Sequence, residues 1–208
     1  MGEHVAPTTP AKKKRSNIFW NIVGVVGELL ITFAIIVGLF SVWQLYWTTY
    51  EVAGQISQTI TSYEEEHQPT KRALGRVRTD DPPAFDREVG DGEIYGLVNV
   101  PTWDWMKIPL AEGTTSYVLD QGWAGHYDMT TQPGGVGNFS VAGHRRPYGN
   151  NFRWIDRLTQ GDKVVVEVDD RYLVYSMVSS EIIDATDPTQ MRVVAPVIDD
   201  VSWSETPT

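Results

Sequence analysis

The chain contains no cysteine in 208 residues. That excludes disulfides, thiolate metal sites and a cysteine nucleophile within these residues. Histidine is almost as scarce. The four of them, His4, His67, His126 and His144, are too scattered for a structural zinc site. Basic residues are few beyond the amino-terminal segment. Residues 1–50 hold Lys12, Lys13, Lys14 and Arg15 against Glu3 and Glu28. Taking these from the chain's 17 basic and 27 acidic residues leaves 13 and 25 in residues 51–208. A segment that acidic repels phosphate backbones, which argues against nucleic-acid binding. No internal repeat is visible, and no cofactor or metal ligand set is expected.

What the chain does have is a long apolar run. Ile18 to Trp47 carries Glu28 as its single charge. A helix rises about 1.5 Å per residue and needs about 20 apolar residues to cross a bilayer core. Trp20, Trp43 and Trp47 sit near the two ends of the run, where interfacial aromatics belong. The run exceeds the length of a cleavable signal core, and Phe40 to Tyr50 offers no small-residue cleavage pattern. The expectation is an uncleaved anchor over 18–47, with a basic cytoplasmic tail over 1–17. The positive-inside rule then places residues 48–208 outside the cell membrane. Glu28 has no second charge in the span to pair with, so it reads as an interfacial carboxylate rather than a functional one.

After the span, Val52, Ile56, Ile60 and Tyr63 recur at three- and four-residue spacing, the pattern of a helical stalk. Gln68 to Asp91 is charged and contains Pro69, Pro82 and Pro83, and reads as a linker. Stalk and linker together cover 48–91, and a globular domain covers 92–208. Its pattern is of short strands. Ile94 to Val100, Met106 to Leu110 and Gly137 to Ala142 are three, the second marked by Pro109 as an edge strand or bulge. Asn151 to Leu158 is expected as a short helix. Lys163 to Val168 and Arg171 to Val178 flank Asp169-Asp170 as a hairpin. A helical turn is expected near Thr189 to Val194. Strands this short and frequent indicate an all-β barrel or sandwich.

The segment from Pro133 to Lys163 carries the chemistry. A Gly-rich turn leads into an apolar strand that ends on Gly143 and His144, presenting one histidine at its tip. Gly134, Gly135 and Gly137 do not make a phosphate loop, which needs a Lys-Ser/Thr pair opening a helix. Histidine suits proton transfer near neutral pH. Ser140, four residues earlier on the same strand, is a weak nucleophile without a base to activate it.

The motifs IYGLVNVP (94–101), LAEGT (110–114), GWAGHY (122–127), PGGVGNFSVAGHR (133–145) and FRWIDRLTQGDKVVVEV (152–168) stand in an order that resembles sortases. These are membrane-anchored cysteine transpeptidases of Gram-positive bacteria. The details resemble the class E sortases of actinobacteria. The resemblance implies an eight-stranded β-barrel in which a cysteine on the seventh strand attacks a sorting-signal carbonyl. A histidine after the fourth strand is the acid/base, and an arginine on the eighth steadies the oxyanion. Only the histidine maps here, onto His144. Arg145 and Arg146 do not take the arginine role.

The expected fold is therefore an all-β, sortase-like β-barrel lacking its last two strands, preceded by a transmembrane helix and stalk. The domain is expected to stop before its nucleophile. The partners implied are LPxTG- or LAxTG-like sorting-signal peptides of surface proteins. The acceptor is a peptidoglycan precursor or a pilin amine, and the setting is the cell wall. His126, in GWAGHY, is a candidate for the substrate groove beside a purely structural reading. The rival function is a non-catalytic, membrane-anchored β-domain that binds a peptide or protein.

Overall fold

The structure, a computed structural model, describes residues 18–67, 80, 82, 85–146, 148–169 and 171–197. The basic tail, most of the linker and residues 198–208 lie outside the described residues. The chain divides into two units, 1–44 and 45–208. One helix, α1, runs from Ile18 to Glu66.

In the first unit, Ile18–Gln44 is long and apolar enough to cross a membrane, with a mean hydropathy of 2.5. Its large apolar side chains are exposed. A lipid environment supplies what these side chains lack, since it offers no penalty for apolar exposure. The few hydroxyls are satisfied within the helix. Thr32 donates to Glu28 O at 2.9 Å and Ser41 to Val37 O at 2.8 Å.

The second unit is built around a six-stranded sheet. Its strands are β1 (Ile94–Val100), β2 (Met106–Glu112), β3 (Ala124–His126), β4 (Val141–Ala142), β5 (Lys163–Val168) and β6 (Arg171–Ser176). The spatial order is β4-β3-β2-β1-β5-β6. Only β2 and β3 run parallel, and a single short helix, α2 (Ser116–Leu119), makes that crossover. Sheet and loops enclose a core of Tyr95, Val98, Val100, Trp103, Ile108, Leu110, Val166 and Val168. β1 lies at its middle, hydrogen-bonded to β2 on one side and β5 on the other. Gly96 permits this, because a Cβ there would come within 2.6 Å of Glu167 O across the strand.

The expected strands at 94–100 and 163–168 have those bounds, and β6 ends two residues earlier than expected. β2 extends to Glu112 and is not an edge strand. β3 meets it only from Leu110 onward, so Pro109 sits where β2 has one neighbour. The strand expected from Gly137 narrows to Val141–Ala142. The short helix expected at 151–158 becomes a single 3-10 turn at Ile155–Arg157, and another such turn occupies Met191–Val194.

The stalk periodicity is expressed as burial. Val52, Ile56 and Tyr63 on α1 are all buried, while Ile60 is half-buried. Tyr63 Oη donates to Tyr95 O at 3.2 Å, and Glu64 pairs with Lys107. Burial, reinforced by the Glu167 and Asp169 carboxylates, holds the Tyr63 phenol far above its ordinary range, so it remains a neutral donor.

Candidate functional site

His144 follows β4 by two residues. Gly143 between them has no room for a side chain, since a Cβ would fall 2.1 Å from the Phe152 ring. That ring therefore packs closely against the backbone that delivers His144. Phe152 N also donates back to His144 O at 3.4 Å, closing the loop over 144–152. The imidazole is about one-third exposed. Its Nε2 lies 2.9 Å from Asp120 Oδ1, at the carboxyl end of α2. A carboxylate beside it accepts, so Nε2 carries the proton and Nδ1 is the other proton-exchanging atom. Tyr148 covers the ring with centroids 4.9 Å apart. An ion pair between Arg145 and Asp156, at 2.9 Å, commits the next side chain elsewhere.

His126 lies in a different setting. It is fully buried, stacked on Phe139 at 5.2 Å and edge-on to Tyr95 at 6.5 Å. Both ring nitrogens are engaged. Nδ1 is 3.0 Å from each oxygen of Glu112, and Nε2 is 3.0 Å from Thr130 Oγ1 and 3.1 Å from Thr131 O. Thr130 donates its own hydroxyl hydrogen to Tyr127 O at 2.7 Å, so toward His126 it accepts. Nε2 is thus a donor, and Nδ1 faces the Glu112 carboxylate. Gln132 donates to the same carboxylate at 3.0 Å. No part of this ring is offered to a groove, and its place is inside the protein.

The network nevertheless bears on His144. Ser140 N donates to Thr130 Oγ1 at 3.2 Å, and Tyr127 N donates to Ser140 O at 3.0 Å. His126 stands opposite Val141 in the β3–β4 register. Glu112, His126 and Thr130 therefore fix where β4 starts. Ser140 itself is buried, which removes it further from any nucleophilic role. A second clamp comes from Asn138. Its side-chain amide donates to Val193 O and Ala195 O, both at 2.9 Å, and its N–H to Pro196 O at 3.1 Å. The loop after β6 is thereby tied to the strand that ends on His144.

Sequence reasoning named His144 and missed Asp120, Tyr148, Glu112 and Asn138. Asp120 is 24 residues from His144 in sequence and is joined to it only by the β2–β3 crossover. No local pattern announces that.

Residues 98–204 match the family model for the sortase domain. The chain belongs to the sortase family. Sortases are cysteine transpeptidases, and this 208-residue sortase sequence has no cysteine. Sortase SrtE1 of Streptomyces coelicolor is 36% identical over 178 residues, which is 83% of this chain and 46% of that protein. Sortase SrtE2 of the same organism is 33% identical over 169 residues, 79% of this chain and 64% of the relative. The chain thus spans about half to two-thirds of the curated relatives' length. Among solved structures, the SrtA sortase from Actinomyces oris is 44% identical. It covers 62% of this chain and 71% of its own, with a TM-score of 0.54.

Proposed function

We propose that these residues form the membrane-anchored, histidine-bearing part of a sortase-type transpeptidase acting on LPxTG- or LAxTG-like sorting signals. The anchor at 18–47, stalk and linker at 48–91 and barrel-type domain at 92–208 belong to that reading. So does the topology, with the domain outside the cell membrane. A reporter active only outside, fused after Glu66, would then be active, and activity of a cytoplasmic reporter there contradicts it.

The observation that carries the reading is His144, about one-third exposed just after β4, with Nε2 held by Asp120. In the proposed reaction a thiolate attacks the signal's carbonyl carbon. The C–N bond breaks, and the leaving amine takes its proton from the imidazolium of His144. An acceptor amine, from a peptidoglycan precursor or a pilin, then attacks the thioester. It gives a proton back to His144 as the thiolate leaves. Asp120 orients the ring throughout. The thiol is not among these 208 residues, so the chain by itself forms no thioester.

A second reading, a non-catalytic β-domain that binds a peptide or protein, is favoured by the same missing cysteine. The gene sequence beyond Thr208 separates the two, and so does chemistry. Mass spectrometry should find no acyl adduct when the 208-residue chain meets an LAxTG peptide. The product of a reading frame that supplies a cysteine should form one. In that product His144→Ala should lower transfer by at least about 10²-fold, the lower end of what a general acid contributes. Near-normal turnover without His144 would contradict the assignment.

A further inference from the structure

The two contacts that hold the His144 ring come from two separate loops. Asp120 belongs to the turn that ends in Gly122, and Tyr148 precedes Gly149. Both glycines have positive φ, +75° and +80°, and both lie against the same two side chains of α1. A Cβ on Gly122 would fall 2.8 Å from Ile56 Cδ1 and 3.1 Å from Val52 Cγ1. On Gly149 it would fall 2.7 Å from Ile56 Cδ1 and 3.4 Å from Val52 Cγ1. The tip of Ile56 therefore sits where the two turns meet, with Val52 one helical turn away. Asn151 joins the turns directly, its Nδ2 donating to Gly122 O.

A second observation points the same way. Tyr148 and Asn150 flank Gly149 with φ of 51° and 54°, in the left-handed region that side chains disfavour. Such backbone persists where the surroundings over-determine it. The surroundings here are Val52, Ile56 and the Asn151 bond. The far end of the buried stalk is fastened elsewhere, by Tyr63 to Tyr95 O and by Glu64 to Lys107.

We infer that Val52 and Ile56 of the juxtamembrane helix are positioning residues for His144. They pack the Asp120 and Tyr148 turns together, so the geometry of the histidine depends on a helix seated immediately after the membrane span. The inference rests on His144 being the acid/base group, but its test reads the ring directly and does not require transfer. A weakened clamp leaves the sheet in place and lets the ring leave Asp120 and Tyr148. In that state the histidine would exchange its proton with water rather than hold it toward a leaving amine.

The experiment uses the full 208-residue chain in detergent micelles, labelled with ¹⁵N-histidine. Two signals are followed, solvent exchange of the His144 Nε2 proton and the cross-relaxation between the His144 and Tyr148 rings. Ile56→Ala should speed the exchange about tenfold, as expected of a local opening, and weaken the ring contact. Ile56→Val should restore both. Glu64→Gln, which loosens the stalk away from the turns, should leave both as they are. A melting curve for each variant separates these effects from global loss of structure. If Ile56→Ala does not fold, Val52→Ala, a smaller cut, decides by the same two signals. Unchanged His144 signals in the folded alanine variants overturn the inference. Equal changes from Glu64→Gln overturn it too, because they would mark general looseness. Whether His144 is the acid of the reaction is answered separately, by the loss of transfer in His144→Ala.

Discussion

The middle of the sheet and the edge that carries His144 are held by different forces. β1 is paired on both sides, and Tyr95, Leu97, Ile108, Leu110 and Val168 are fully buried around it. Each such side chain contributes roughly 1.5–3 kcal/mol by burial. β3 and β4 are three and two residues long, and among the described residues β4 pairs with β3 alone. There the chain is placed by polar clamps, Glu112–His126–Thr130 on one side and Asn138 with the 193–196 carbonyls on the other. Individual hydrogen bonds of this kind add about 0.5–1.5 kcal/mol each. Burial keeps the centre folded, and directional bonds decide where the edge sits. A site that must present one histidine at a defined angle is better served by the second kind.

The largest effect should come from the centre. Ile108→Ala removes a fully buried side chain and should cost about 2–5 kcal/mol in a denaturant titration of the second unit. The loss should be global, seen equally by probes at β1 and at His144. A loss confined to one side of the sheet would break the comparison.

Glu112→Gln should act more locally. It keeps the shape and one acceptor but removes the charge opposite His126 Nδ1, at a cost of about 1–3 kcal/mol. The amides of Ser140 and Val141 should shift and exchange faster, while those of Leu97 and Val98 change little. Amide-resolved NMR checks this, and a uniform change across the sheet would show that the pair is part of the centre.

The smallest effect is a matter of pH. Asp184 and Asp187 each accept from a threonine hydroxyl and amide two residues on, and Asp187 also accepts from Gln190. Their carboxyls are held below the ordinary range, Asp184 by the Thr186 hydroxyl first and Asp187 by the Gln190 side chain first. A carboxyl whose folded-state pKa is depressed contributes order that is complete above its ordinary value, about 3.9. That order is lost as pH falls through the lower folded-state value. Acidification below about pH 4 should therefore broaden the Thr186 and Thr189 amide signals before those of β1 move. Simultaneous change would show that the loop is not an independent element.

The same division explains what was readable in the sequence. β1 and β5 have the expected bounds because their apolar runs make the strand signal and the burial at once. β3 went unread, since Ala124-Gly125-His126 is too short for a period and its pairing with β2 depends on a parallel crossover. β4 was read too long. Asn138 spends its amide groups on Val193, Ala195 and Pro196 rather than on a strand neighbour, and Gly137 has a φ of 128°. The place of His144 just after a strand was legible from its motif order. Its partner Asp120 and the seal around His126 were not, because each is made by contacts between elements distant in sequence. The stalk spacing was legible too, though not what Val52 and Ile56 rest upon.

Native-state hydrogen exchange tests the division most directly. The account predicts that Leu97, Val98, Ile108 and Val166 exchange only through global unfolding, at rates that track the denaturant-measured stability. Val141, Ala142 and Gly143 should exchange through a smaller local opening, at least about 100-fold faster. Equal protection across β1 and β4, rising and falling together with denaturant, would contradict the account, because the edge would then be as firmly built as the centre.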